Sequence, residues 1–166
     1  DTCMIENVED LIKAGTSSLK VEGRMKRPEY VAGVTESYRE AIDNVYNKID
    51  KSQESNKKKL LRLFNREGFA TAYLYKNTGH DMMAYRNPKN TGVFLGEVLK
   101  SGEILLSEDI ALQDGVTNGN DGFTVNKIFL NGNEVKKAKK GSKVKVLPRK
   151  YKASDKLFKT LDSELL

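Results

Sequence analysis

The sequence predicts an α+β protein, in which a terminal helix–strand–helix piece of an α/β barrel precedes a small antiparallel β-barrel. Apolar residues recur at helical spacing before residue 50, and short β-rich runs separated by Gly, Asn and Asp follow after residue 70. The charge also changes sign along the chain. Residues 1–50 carry 7 Lys and Arg against 10 Asp and Glu, whereas residues 51–166 carry 22 against 13. These three observations together indicate two parts with different chemistry.

The length and composition exclude several classes of protein. With 166 residues, 38% of them hydrophobic and 31% charged, the chain is long enough to bury a core and too apolar to be disordered. We find no apolar run long enough to span a membrane, and we expect no signal peptide. The one cysteine excludes an internal disulfide and fits a reducing compartment, so we expect a cytoplasmic protein without membrane contact. Because the chain begins with Asp1, we expect a piece of a longer protein.

The sequence of residues 1–50 predicts one incomplete βα unit. A short helix is predicted over residues 5–14, a strand over 17–22, and a long helix that begins at Pro28 and continues to about residue 49. A single strand cannot satisfy its own backbone groups. We therefore expect this region to be the closing unit of a truncated α/β (TIM-like) catalytic domain. The apolar face of the 28–49 helix then needs a cover. We expect it to be buried against another chain, as in a homodimer through this helix, or against the β domain.

A basic linker or helix is expected over residues 51–66, followed by an antiparallel β-barrel over 67–150. Asn131-Gly132 is a strong hairpin signal. We predict that Val125, Ile128 and Val144 face the barrel interior, and that residues 151–166 form a C-terminal helix docked on it. The β-rich runs that predict the strands are 71–75, 82–85, 93–99, 103–106, 123–130 and 143–147.

Three segments carry a resemblance to a known family: AGTSSLKVEGRMKRPEYVAGVTESYREAID at 14–43, LFNREGFATAYL at 63–74 with KNTGVFLGEV at 89–98, and YKASDKLFKTL at 151–161. The chain resembles the C-terminal part of the collagenase-like peptidases of unknown catalytic type, peptidase family U32. The resemblance implies an α/β barrel-like domain followed by a β-barrel. That barrel also looks like the second domain of elongation factor Tu, on GEV at 96–98, LQDG at 112–115 and the hairpin region 125–146. Members are described as proteases, and some relatives support hydroxylation of RNA or quinone precursors and carry an iron–sulfur cluster.

Alternation along residues 17–24 places Lys20 and Glu22 on one face of the predicted strand. In an α/β barrel both would point inward, and Arg24 would lie at the C-terminal mouth, where such barrels hold their active sites. The guanidinium of Arg24 is suited to bind a phosphate or carboxylate through two parallel hydrogen bonds. We assign Lys20, Glu22 and Arg24 as an incomplete catalytic site. The alternative is that Lys20 and Glu22 form a buried ion pair that fixes the barrel.

Cys3 is the one residue with a predicted metal role. By resemblance, D-x-C at residues 1–3 lies where cluster-bearing relatives have a late cysteine, so Cys3 is a candidate iron–sulfur ligand in a longer parent. An iron–sulfur site needs about four ligands. We therefore expect no cofactor in this chain alone. The alternative is an inert thiol.

A basic run suggests a surface that attracts nucleic acid. We assign Lys136, Lys137, Lys139, Lys140 and Lys143 as candidate RNA-binding residues, together with Arg66 in the aromatic and basic stretch 64–69. The alternatives are a solvated strand face and a domain junction with packed phenylalanines.

Our leading functional interpretation is the C-terminal region of a collagenase-like protease, with an accessory β-barrel that positions a protein or peptide substrate. We do not expect catalysis from this chain alone. The alternative is the RNA-binding module of an RNA-hydroxylating protein with an iron–sulfur cluster in the parent. A structural or assembly domain is a third interpretation.

Overall fold

The computed structural model describes residues 1–75, 79 and 89–165. The chain divides into two compact units, Asp1–Lys89 and Asn90–Leu166. Within the described residues the first unit contains three α-helices and the second contains ten β-strands, so the protein is α+β. The sequence-based class is confirmed at this level.

The helices of the first unit begin and end where the sequence signals lie. A 3-10 turn, Ile5–Asn7, leads into α1 (Val8–Lys13), and α2 (Pro28–Tyr46) begins with the proline at its first turn. α2 ends where Lys48 takes a positive φ of 55°, and the Ile49 N–H donates to the Asn44 carbonyl oxygen. α3 (Glu54–Leu63) confirms the helical alternative for the basic stretch.

A small helical core covers much of the apolar face of α2. Val34 and Ala41 are buried with Ile5, Val8 and Leu60. α1 and α3 therefore provide part of the cover that we expected from another chain or from the β domain. Val31, Tyr46 and Ile49 remain exposed, the last two by more than half. The homodimer through this helix stays a prediction.

Two predicted strands of the first unit are wrong. Residues 17–22 have no regular secondary structure, because no described strand pairs with them. In place of the strand over 71–75 a 3-10 turn, Ala72–Tyr75, is found. Its Tyr75 hydroxyl donates to Asp10 Oδ2 of α1 at 2.6 Å, so a side-chain contact with a helix is found where strand pairing was predicted. The strand predicted over 82–85 lies outside the described residues.

The second unit is built from short strands. Their bounds are β1 Val93–Val98, β2 Ile104–Leu106, β3 Ile110–Ala111, β4 Gly115–Thr117, β5 Gly122–Thr124, β6 Lys127–Leu130, β7 Asn133–Val135, β8 Lys137–Ala138, β9 Lys143–Leu147 and β10 Lys156–Leu161.

Eight of these strands form one curled antiparallel sheet, in the order β5-β4-β10-β1-β2-β9-β6-β7, and β3 pairs with β8. No pairing joins β5 to β7 in the described residues, so the sheet is a half-barrel. Asn131 and Gly132 both have positive φ and join β6 to β7, which confirms the predicted hairpin. Val125, Ile128 and Val144 are fully buried in its core, as predicted.

The predicted C-terminal helix is wrong. Residues 156–161 are strand β10, which pairs with β1 on one side and β4 on the other. Leu157, Phe158 and Leu161 fit a helix face by spacing. The strand forms instead because pairing with β1 and β4 satisfies the backbone N–H and C=O groups of β10 along both edges. A short 3-10 turn, Ser163–Leu165, follows.

The predicted start of the barrel at residue 67 is too early. The Ala70 N–H donates to the Asp1 carbonyl oxygen, and the Cys3 N–H donates to the Ala70 carbonyl oxygen. These bonds tie residues 68–70 to the beginning of the chain, within the first unit.

A buried charge cluster lies in the second unit. Lys159 Nζ lies 2.9 Å from Asp114 Oδ2 and 3.4 Å from Asp162 Oδ2, and all three side chains are at most 7% exposed. Asp114 also accepts bonds from the Ala111 N–H and from the N–H and hydroxyl of Ser163. The Asp114 carboxylate thereby links the turn before β4 to the end of β10.

Candidate substrate-binding site

A cleft of about 700 Å3 lies in the first unit, and it brings the predicted catalytic residues together. Its charged and aromatic lining residues are Asp1, Lys20, Glu22, Arg24, Lys26, Tyr30, Tyr38, Phe64 and Arg66. They come from the start of the chain, from residues 19–26, from α2 and from the residues after α3. The cleft is therefore assembled from parts of the sequence that lie up to 65 residues apart.

A tight turn presents Arg24 and Lys26 at this cleft. The Lys26 N–H donates to the Gly23 carbonyl oxygen at 3.0 Å, and Met25 has a φ of 62°. A side chain at Gly23 would meet Val31 of α2, since a Cβ there would lie 2.6 Å from Val31 Cγ2. The turn thus packs closely on the first turn of the helix, directly before Pro28.

Aromatic rings form one wall of the cleft. Tyr30 and Phe64 meet edge to face, with ring centroids 6.2 Å apart. Lys26 Nζ lies over the Phe64 ring, 2.9 Å from its centroid, which is a cation–π contact. Burial, followed by the nearby positive charge of Arg66, lowers the pKa of Lys26. Lys26 is a cation held against a ring, with no ion pair among the described residues.

Arg66 is tied to Asp1. Its Nε and Nη2 both donate to Asp1 Oδ1, at 2.9 and 2.5 Å, and its backbone N–H donates to Asp1 Oδ2 at 2.9 Å. Asp1 thereby neutralises Arg66 and fixes the chain after α3. Arg66 was predicted to bind nucleic acid with the lysine run, but it lies in the other unit. Its guanidinium already has an acidic partner.

Lys20 and Glu22 form an ion pair of 2.8 Å, with side chains 86% and 72% exposed. The buried pair that we considered as an alternative is therefore absent from the described structure. The hydrogen bond that Lys20 donates to Glu22 raises the pKa of Lys20. An exposed pair of this kind adds little stability. Arg24 is exposed and has no ion pair among the described residues, so its guanidinium is open to an anion.

Cys3 lies beside the cleft. The Tyr38 hydroxyl donates to Cys3 Sγ at 3.8 Å and accepts from the Met4 N–H at 2.8 Å. Burial and then the Cys3 thiol raise the pKa of Tyr38, so this phenol stays protonated at neutral pH. No three His, Cys, Asp or Glu side chains gather as metal ligands within the described ranges. An iron–sulfur cluster therefore does not fit the residues of this chain alone.

The predicted RNA-binding lysines all lie exposed on the second unit. Lys139 pairs with Asp109 at 2.7 Å, and Lys137 lies 3.5 Å from Glu164. Among the described residues Lys136, Lys140 and Lys143 have no ion pair. β9 alternates exposed and buried residues, so its lysines line the outer face of the sheet.

Sequence reasoning missed Lys26, Tyr30, Tyr38 and Asp1 as cleft residues. Lys26 and Tyr30 flank Pro28, and a proline at a helix start was a usable signal that residues on both sides lie close together. Asp1 reaches Arg66 through the pairing of residues 1–3 with 68–70. No local pattern reveals that contact.

The first unit thus contains an open cleft with an aromatic wall and with two cations, Arg24 and Lys26, that have no ion pair among the described residues. The model of peptidase family U32 matches residues 1–84, which is half of the chain. The chain belongs to peptidase family U32.

Three relatives give the range of functions in which similar sequences occur. The uncharacterized protease MJ0090 of Methanocaldococcus jannaschii is 33% identical over 168 residues, 88% of this chain and 40% of that protein. The tRNA hydroxylation protein P2 of Bacillus subtilis is 54% identical over 43 residues, 26% of this chain and 14% of that protein. The 23S rRNA 5-hydroxycytidine C2501 synthase of Escherichia coli is 30% identical over 131 residues, 75% of this chain and 20% of that protein.

The chain spans less than half the length of each of these relatives. No solved structure matches. None of the helices in the described residues is long and apolar enough to cross a membrane.

Proposed function

We propose that this chain is the substrate-binding part of an enzyme that acts on RNA, with the cleft of the first unit holding a nucleotide of the substrate. The observation that carries the proposal is the presence in one cleft of Arg24, which has no ion pair among the described residues, together with Lys26 and the rings of Tyr30 and Phe64. A phosphate takes the forked guanidinium of Arg24, and a base takes an aromatic face. Two relatives whose names refer to RNA hydroxylation support the substrate class.

The second candidate is our leading interpretation from the sequence, a region of a collagenase-like protease. It is favoured by the 33% identity with an uncharacterized protease over 88% of the chain. In that case Arg24 grips a carboxylate of a peptide, and the half-barrel sheet positions the protein substrate. The cation and ring pairing suits a nucleotide better than a carboxylate alone, so we place RNA first.

Other parts of the proposal concern the longer protein. We propose that residues 1–50 close an α/β barrel built by further residues, that Cys3 is one ligand of a cluster completed there, and that catalysis requires that parent. We also propose that the half-barrel corresponds to the second domain of elongation factor Tu, and that the protein acts in the cytoplasm. A homodimer through the exposed residues of α2 is the remaining partner proposal.

The experiment compares two arginines three residues apart. Arg24 lines the cleft, whereas Arg27 is exposed just before α2 and does not line it. In cells that lack the full-length protein, we expect complementation with R24A to leave the hydroxylated RNA nucleoside undetectable by mass spectrometry, and R27A to restore it. R24K keeps the positive charge but loses the planar guanidinium that donates two parallel hydrogen bonds, so we expect it to restore the hydroxylated nucleoside only in part.

Melting temperatures of the purified variants serve as the control, because a folding defect would lower activity without any role in binding. Full restoration by R24A contradicts the assignment of the cleft. Hydrolysis of gelatin by the purified full-length protein, lost in R24A and with no change in RNA hydroxylation, favours the protease instead.

A further inference from the structure

The outer face of the second unit carries a surface that the cleft does not explain. We call it the outer lysine face and define it by Leu105, Lys127, Phe129, Lys143 and Lys145. In the register of the sheet, Lys143 of β9 lies opposite Leu105 of β2, and Lys145 lies opposite Phe129 of β6. Residues paired in this way point to the same side of an antiparallel sheet. The five side chains therefore form one patch across three adjacent strands.

Two of the three lysines of this patch have no ion pair among the described residues. Lys143 and Lys145 have no ion pair in the described part of the chain, and the partner of Lys127 is Glu134, at 3.1 Å with both side chains half exposed. The ammonium groups of Lys136 and Lys140, which follow β7 and β8, likewise have no ion pair there, although the Lys140 N–H donates to Asp109. Two other lysines of the run are excluded from the face because they have acidic partners, Lys137 with Glu164 and Lys139 with Asp109.

Apolar groups lie between these charges. Phe129 is half-buried beside Lys145, and Leu105 is 41% exposed beside Lys143. Phe129 lies opposite Lys145 on one side and opposite Glu134 on the other, so the ring stands beside one lysine without an ion pair and one acidic residue. A partly exposed aromatic ring next to lysines has the composition of surfaces on which single-stranded nucleic acids bind, with phosphates on the cations and bases on the ring.

We propose that the outer lysine face binds single-stranded RNA, with Phe129 stacking on a base and Lys143 and Lys145 contacting phosphates. This inference rests on the proposed action on RNA and adds a second contact surface to it. An apolar protein partner is disfavoured, because it would bury these ammonium groups without compensation.

The test uses the whole chain and a fluorescein-labelled single-stranded RNA 12-mer, with a duplex RNA of the same length for comparison. Fluorescence anisotropy gives Kd between 50 and 200 mM salt, values chosen because phosphate contacts weaken over this range. The double variant K143Q/K145Q removes two charges from the face. The matched control K152Q/K156Q removes two exposed charges near the start of β10, three strands away from β9 in the sheet.

We expect K143Q/K145Q to weaken binding at low salt by roughly tenfold or more, and to reduce the slope of log K against log salt by about 1.4, since each single-strand phosphate contact contributes about 0.7. The control should change both quantities much less. F129L should weaken single-strand binding by roughly tenfold with the salt slope unchanged. It should leave duplex binding unchanged, because bases in a duplex are already stacked.

The outcomes separate the two proposals. RNA binding that is unchanged in both K143Q/K145Q and F129L overturns the outer lysine face and leaves the action on RNA standing. No binding of either RNA by the wild-type chain at 50 mM salt overturns both. Binding to vesicles of anionic phospholipid that is lost in K143Q/K145Q, with RNA binding intact, assigns the face to a membrane surface and also overturns the inference.

Discussion

The buried cluster of Asp114, Lys159 and Asp162 makes a quantitative prediction about stability. D114N keeps the volume of the side chain but removes its charge, and it leaves Lys159 buried with Asp162 at 3.4 Å as the remaining acidic contact. The amide NH2 of Asn also cannot accept from the N–H groups of Ala111 and Ser163 as both carboxylate oxygens do. Breaking a buried ion pair costs about 3–5 kcal/mol.

The assay is urea unfolding of the whole chain followed by far-ultraviolet circular dichroism, because the chain contains no tryptophan. With a slope m of about 2 kcal/mol per molar, we expect the urea midpoint for unfolding of the second unit to fall by roughly 2 M. The matched control is E134Q, which breaks the exposed pair with Lys127 and should cost only about 0–1 kcal/mol.

A double-mutant cycle with K159M tests the reason for the effect. K159M leaves Asp114 and Asp162 buried as two like charges without a cation, so it should also destabilise strongly. D114N/K159M removes both opposing charges and should cost clearly less than the sum of the two single variants. A loss below about 1 kcal/mol in D114N, or strict additivity in the cycle, would refute the argument that charge pairing holds this turn to β10.

Two further predictions concern the same unit. The buried Tyr151 hydroxyl donates to the Val146 carbonyl oxygen and accepts from the Val146 N–H, both at 3.0 Å. Y151F should therefore lower the free energy of unfolding by about 1–3 kcal/mol, and an unchanged urea midpoint would contradict this. The hydrogen bond from Lys139, with one from the Lys140 N–H, lowers the pKa of Asp109 below its ordinary 3.8. Its stabilisation is therefore present above that pH and is lost as pH falls through the lower folded value. D109N should be less stable than wild type at pH 7 in thermal melts, and the difference should shrink as the pH falls below 3.8.

Local signals were sufficient where neighbours in sequence determine the structure. Pro28 and the apolar spacing after it predicted α2, and Asn131-Gly132 predicted the hairpin, because helix starts and two-residue turns depend on adjacent residues. The segment 156–161 could not be decided in this way. Its leucines fit a helix face as well as a strand, and the deciding factor is the presence of β1 and β4 on either side, which are distant in sequence.

The candidate site shows the same limit. Lys20, Glu22 and Arg24 were found together because they lie within five residues of one another, although the strand predicted to carry them is absent from the described structure. The wall formed by Tyr30 and Phe64 and the contact of Asp1 with Arg66 were not found, because they join residues 34 and 65 positions apart. No short segment of the sequence predicts the tertiary fold that brings these distant residues together.

The missing partner of residues 17–22 has a consequence for affinity. Their six backbone N–H groups have no acceptor among the described residues, so their amide hydrogens are open to exchange with deuterium from solvent. Each residue whose backbone a ligand fixes on binding costs about 1–2 kcal/mol of conformational entropy, and this segment leads directly to Arg24. Any strand that pairs with residues 17–22 beforehand would remove that cost and tighten binding in the cleft without touching the ligand, through preorganisation alone.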